Sequence, residues 1–160
     1  LGWLALWSAN KKVATKSVEA ILDRHADSED LLEVAEYIGV LRRAVGNELH
    51  GKVLDMLLAS KHAMIKANAL YSKGYSLVAT RGREPSQEDL SKGNELLAEC
   101  ARLAKGTELA LRANAPAFEK TRLQIGMEVP DIVGQDLDGV PFKLSDYRGK
   151  VVVIDFWGDW

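Results

Sequence analysis

The hydrophobic period of this chain changes once, near residue 125, and that change limits the fold more than any other feature. Upstream, apolar residues recur every three or four positions. Downstream they alternate or run together in β-branched stretches. The first pattern belongs to helices and the second to strands. The chain is therefore expected to be a mainly α-helical array of α-hairpins over residues 1–124, followed by β structure over 125–160.

Within the helical part, "SEDLLEVAEYIGVLRRAVG" places Leu31, Val34, Ala35, Ile38 and Leu41 on one face, as a single amphipathic helix would. Asp27 or Ser28 can cap its start, and Gly46 stands just past its end. "KHAMIKANALYSKGYSLVAT" repeats the device with Ala67, Leu70, Tyr71, Gly74, Tyr75 and Val78. A glycine inside a helix costs about 1 kcal/mol against alanine, so Gly74 implies a compensating close approach by a neighbouring helix. "EPSQEDLSKGNELLAECARLAKG" begins with Pro85 and a Ser86-to-Asp89 capping pattern and closes at Gly106. Its inner face carries Leu90, Gly93, Leu97, Cys100, Ala101 and Ala104. Trp3 and Trp7, one turn apart, read as a core pair or as a contact with chain upstream of Leu1.

In the second part, Asp138-Gly139 predicts a tight hairpin turn of type I′, pairing residues 132–137 with 140–144. Pro141 removes a donor and puts its strand at an edge. "KVVVIDF" is an unbroken run with the composition of a strand buried on both faces.

Composition excludes several functions. A net charge of −2 and the absence of like-charge blocks argue against a nucleic-acid footprint or a polybasic membrane contact. With Cys100 as the sole cysteine, no internal disulfide or thiolate-based metal site can form. His25, His50 and His62 fall on separate helical segments without ligand spacing, and read as surface or helix-end residues. "DLDG" lacks the alternating acids of a calcium loop. The chain begins at Leu1 with no charged region before "LGWLALW", so it shows no targeting sequence and reads as an internal fragment.

Three pieces in order, "IGMEVPDI", "DLDGVPFKLSDYRGK" and "VVVIDFWGDW", resemble the opening of a redoxin domain of the thioredoxin superfamily. The nearest likeness is to the TlpA/ResA-like thiol-disulfide oxidoreductases, in the group that also holds the alkyl hydroperoxide reductases and their antioxidant activity. The resemblance implies that residues 125–160 are the opening β-hairpin and first central strand of a thioredoxin-like α/β domain, left incomplete at Trp160. It further implies a C-x-x-C pair directly after Trp160, whose first cysteine attacks a disulfide and whose second resolves the mixed disulfide. The chain as given then lacks its nucleophile and is expected to be inactive.

The same resemblance assigns Asp155 a proton-relay role beneath the cysteine pair, in preference to that of a carboxylate idle at a strand end. An acid inside an apolar strand is costly to keep charged. Trp160 matches the tryptophan that shields the pair and contacts the substrate, and Trp157 matches a packing aromatic. The implied substrate is a protein disulfide or thiol, and the implied location is extracytoplasmic, in periplasm or cell envelope. No metal or organic cofactor is implied, because the redox centre is the cysteine pair itself. Cys100, on an inner helix face, reads as a structural thiol. Two alternatives stay open: a peroxiredoxin-type thiol peroxidase, whose strand would normally end in an aromatic-proline stretch that "DFWGDW" lacks, and a helical module whose surface binds a protein partner.

Overall fold

The computed structural model describes residues 1–79 and 84–158. Two compact units divide the chain, Leu1–Ala117 and Phe118–Trp160.

Among the described residues, the first unit is built from helices α1 (Gly2–Trp7), α2 (Lys11–Arg24), α3 (Leu32–Glu36), α4 (Ile38–Val45), α5 (Asn47–Leu58), α6 (Ala63–Val78) and α7 (Gln87–Leu103), with the start of α8 (Glu108–Arg122). Side chains satisfy the free amides at several helix starts. Asn10 Oδ1 accepts from Lys12 and Val13 N–H, Ser28 Oγ from Asp30 N–H, and Ser86 Oγ from Asp89 N–H. Ser28 and Ser86 are thus caps, as the sequence suggests.

The segment after Ser28 is not one helix. A short 3₁₀ turn (Glu29–Leu31), α3 and α4 follow each other, and Tyr37 breaks the run at φ −106°, ψ 23°. Leu31, Val34, Ala35, Ile38 and Leu41 nonetheless all stay buried, so the break bends the backbone without turning the apolar face away. At the bend, the Tyr37 ring meets Trp7 edge-on at 5.3 Å. The expectation of a core tryptophan pair is corrected here. Trp3 and Trp7 are exposed, because α1 buries Ala5 and Leu6 instead, and Trp7 Nε1–H reaches outward to Glu33 Oε1 at 3.4 Å.

Two hydrophobic clusters share α6. Ile65 and Ala69 join the cluster made by α1 to α5, while Ala67 and Leu70 join Leu97, Cys100, Ala104, Leu109, Ala110 and Ala113 of the region from α7 to α8. A helix packed on two sides must keep two faces small or apolar. The one buried polar side chain of α6, Asn68, donates from Nδ2 to the Met64 carbonyl at 2.9 Å. α6 and α7 approach closely at a glycine pair. A β-carbon on Gly74 would lie 2.9 Å from the Gly93 carbonyl oxygen, and one on Gly93 only 2.6 Å from Val78 Cγ1. The close approach inferred from Gly74 is therefore present and reciprocal.

The second unit holds the end of α8, a two-stranded antiparallel hairpin of β1 (Val133–Gln135) and β2 (Pro141–Lys143), and a 3₁₀ turn at Leu144–Tyr147. Val133 pairs with Lys143, Gly134 with Phe142 and Gln135 with Pro141. The turn differs from the type I′ expected. Gly139 has φ 78°, but among the described residues no non-glycine residue has positive φ, so Asp138 does not supply the second left-handed position. Gly139 N–H donates to the Asp136 carbonyl, and Asp136 N–H to the Val140 carbonyl, both at 3.0 Å. This is a three-residue loop closed by a left-handed glycine. Asp136 Oδ1 also accepts from Asp138 and Val140 N–H, which takes the place of the second positive φ in holding the loop.

Residues 151–158 form neither helix nor paired strand. Their exposure still alternates: Val151 is 97% and Val153 89% exposed, against 44% for Val152 and 43% for Ile154. The run thus keeps a strand's two-sidedness without a ladder, since no described strand lies beside it to accept its hydrogen bonds.

Candidate functional site

A concavity of about 530 Å³ in the second unit lies between the 3₁₀ turn and the β-branched run. Its apolar lining comes from Val129, Pro130, Leu144, Val152 and Ile154, and its polar lining includes Arg122, Asp131, Arg148 and Lys150.

Asp131 organises one wall. Its Oδ1 accepts from Ser145 N–H and its Oδ2 from Ser145 Oγ–H, both at 2.8 Å. These two bonds, backbone first, hold the Asp131 carboxyl below the usual aspartate range. The tie is present above the ordinary aspartate pKa and is lost as pH falls through the lowered one. Asp146 Oδ2 accepts from Lys143 N–H at 3.0 Å, and Arg148 reaches Glu128 Oε1 at 3.0 Å. The Asp131–Ser145 and Glu128–Arg148 contacts fasten the segment before β1 to the turn after β2, and the Asp146–Lys143 bond caps that turn. The Asp131 tie has a visible sequence signal, an aspartate after Pro130 paired with the serine of "LSD", but periodicity alone does not reveal that the two meet.

Asp155 is exposed, in the run beyond Ile154, and makes no hydrogen bond or ion pair among the described residues. Trp157, expected to pack, is 83% exposed. Trp160 lies outside the described residues. Cys100 belongs to the other unit and is fully buried. Burial pushes its thiol up to about 11, against smaller opposing effects from the Tyr71 backbone and Arg112.

The histidines do not converge. His25 ends α2, and His62 begins α6 with its ring N–H donating to the Asp27 carbonyl at 3.0 Å. His50 lies within α5, its pKa lowered by burial and then by Arg42. Among the described residues no three His, Cys, Asp or Glu side chains gather as a metal site would need, and no helix is long and apolar enough to cross a membrane.

No protein-family model matches the chain, and no solved structure matches it. Curated proteins do match locally. The thiol-disulfide oxidoreductase ResA of Geobacillus thermodenitrificans (strain NG80-2) is 50% identical over 42 residues, 26% of this chain and 24% of that protein. ResA of Geobacillus kaustophilus (strain HTA426) is 52% identical over the same length and shares. ResA of Bacillus subtilis (strain 168) is 38% identical over 47 residues, 29% of this chain and 26% of its own. The match therefore spans about a quarter of the length of these relatives, and over that quarter the chain is similar to thiol-disulfide oxidoreductases.

Proposed function

We propose that the chain is part of a thioredoxin-like thiol-disulfide oxidoreductase, in which residues 125–160 open the redox domain and residues 1–124 form a separate helical domain. The local identity of about half to the ResA proteins carries this reading. We take the matched quarter to be the one holding "IGMEVPDI", "DLDGVPFKLSDYRGK" and "VVVIDFWGDW". The hairpin and the Asp131–Ser145 tie support it, because they give that stretch a defined register ahead of the β-branched run.

In the longer protein, a C-x-x-C pair follows Trp160. Its first thiolate attacks a protein disulfide, forming a mixed disulfide and releasing one substrate thiolate; the second thiol, losing a proton, then attacks the first cysteine's sulfur, closing the C-x-x-C disulfide and releasing the second substrate thiolate. Asp155 accepts or returns that proton, and Trp160 shields the pair and meets the substrate. The protein acts outside the cytoplasm, where disulfides are made and reshuffled. Cys100 takes no part. A buried thiol with a raised pKa is a poor nucleophile, so the chain alone does not reduce disulfides.

The test is an insulin-type reduction assay on two proteins, this chain and one extended through the cysteine pair and the rest of the domain. The extended protein should reduce insulin and this chain should not. In the extended protein, Asp155→Asn should slow turnover roughly tenfold to a hundredfold near neutral pH by hindering proton transfer. Unchanged kinetics would remove the relay role. Activity in the 160-residue chain would overturn the whole reading.

A further inference from the structure

Helix α8 is held along only part of its length. Leu109, Ala110 and Ala113 are buried in the cluster shared with α6 and α7. Pro116 then sits inside the helix, and every residue from Ala117 to Arg122 is exposed. The boundary between the two compact units falls at Ala117 and Phe118, one residue beyond the proline.

Two effects coincide there. Pro116 has no N–H, so the Arg112 carbonyl loses its partner four residues on, and the proline ring crowds that same carbonyl. The residue before a proline, here Ala115, is also pushed away from helical geometry. Beyond this weak point, the remaining helix buries no side chain. Most helical stability in proteins comes from packing an apolar face, and a stretch this short has little of its own. Local contacts contribute to its support. Lys120 and Arg122 stand in the last turn, where cations favour the helix dipole, and Gln124 Nε2–H donates to the Glu119 carbonyl at 3.0 Å.

We propose that Pro116 is a built-in joint: the part of α8 from Ala117 to Arg122 opens on its own while the part anchored by Leu109, Ala110 and Ala113 stays closed. The chain connecting the two units then alternates between helix and flexible linker.

Hydrogen exchange read by mass spectrometry or NMR on the whole chain tests this. Amides of Ala117–Arg122 should exchange on the order of a hundredfold faster than those of Leu111–Ala113. Within α8, brief trypsin treatment should cut after Lys120 or Arg122 before it cuts after Arg112. Pro116→Ala restores the missing N–H and should slow exchange across Ala117–Arg122 by roughly tenfold or more, while leaving the Leu111–Ala113 amides unchanged. Equal protection on both sides of Pro116 in the unaltered chain would overturn the joint, as would a Pro116→Ala protein with unchanged exchange.

Discussion

At Cys100, α7 turns its thiol into the cluster shared with α6 and α8, where water does not reach and the thiolate is disfavoured. Raising the pKa from 9.0 to about 11 leaves roughly a hundredfold less thiolate at neutral pH. Labelling by a disulfide reagent should therefore be far slower in the folded protein than in urea. The same shift has a stability consequence with a definite sign. The folded state holds the thiol proton more tightly than the unfolded chain, so this contribution is complete below about pH 9 and is lost as pH rises toward about 11. Denaturant titrations should show stability falling more steeply over that window in the native sequence than in Cys100→Ala. Parallel curves would mean that the thiol is not desolvated.

Among the elements, the α6–α7 crossing depends on having no side chain at two places. Gly74→Ala gains about 1 kcal/mol of helix propensity but drives a methyl to 2.9 Å from the Gly93 carbonyl oxygen and 3.0 Å from Leu97 Cγ. Backbone cannot step aside as a side-chain tip can, and overpacking of this kind costs about 1–3 kcal/mol. Gly74→Ala should therefore lower the denaturant midpoint. Gly51, within α5, has nothing within 4 Å of its absent β-carbon, so Gly51→Ala should add up to about 1 kcal/mol of stability and raise the midpoint. Shifts of the same sign in both variants would show that propensity, not the close approach, controls these positions.

At the scale of the whole molecule the two units differ in kind. The first has two hydrophobic clusters; in the second, no residue from Phe118 to Gly158 is buried. The second is held by the short ladder, the Asp131–Ser145 and Asp146–Lys143 bonds and the exposed Arg148–Glu128 pair. Exposed pairs of that kind contribute at most about 1 kcal/mol. Amides of α6 and α7 should therefore be strongly protected from exchange, while those of residues 151–158 exchange almost as free peptide. A calorimetric transition should carry the enthalpy of the first unit alone. Strong protection across Val151–Ile154 would show that the β-branched run has found a strand partner, such as a second copy of the chain.

Local chemistry in the sequence determined which residues lie inside, where helices begin and where the chain turns back on itself. Leu31 to Leu41, the caps at Ser28 and Ser86, the glycine at position 74 and the hairpin at Asp138-Gly139 follow from spacing and from the conformations that single residue types prefer. Tertiary structure decided what depends on a partner. It set the break at Tyr37 and the outward turn of Trp3 and Trp7. It also decided the state of "KVVVIDF", whose composition suits burial on both faces. A helix closes its hydrogen bonds within one segment, whereas a strand must find them on another, so a run of valines can be strand-like in sequence and still lack a ladder.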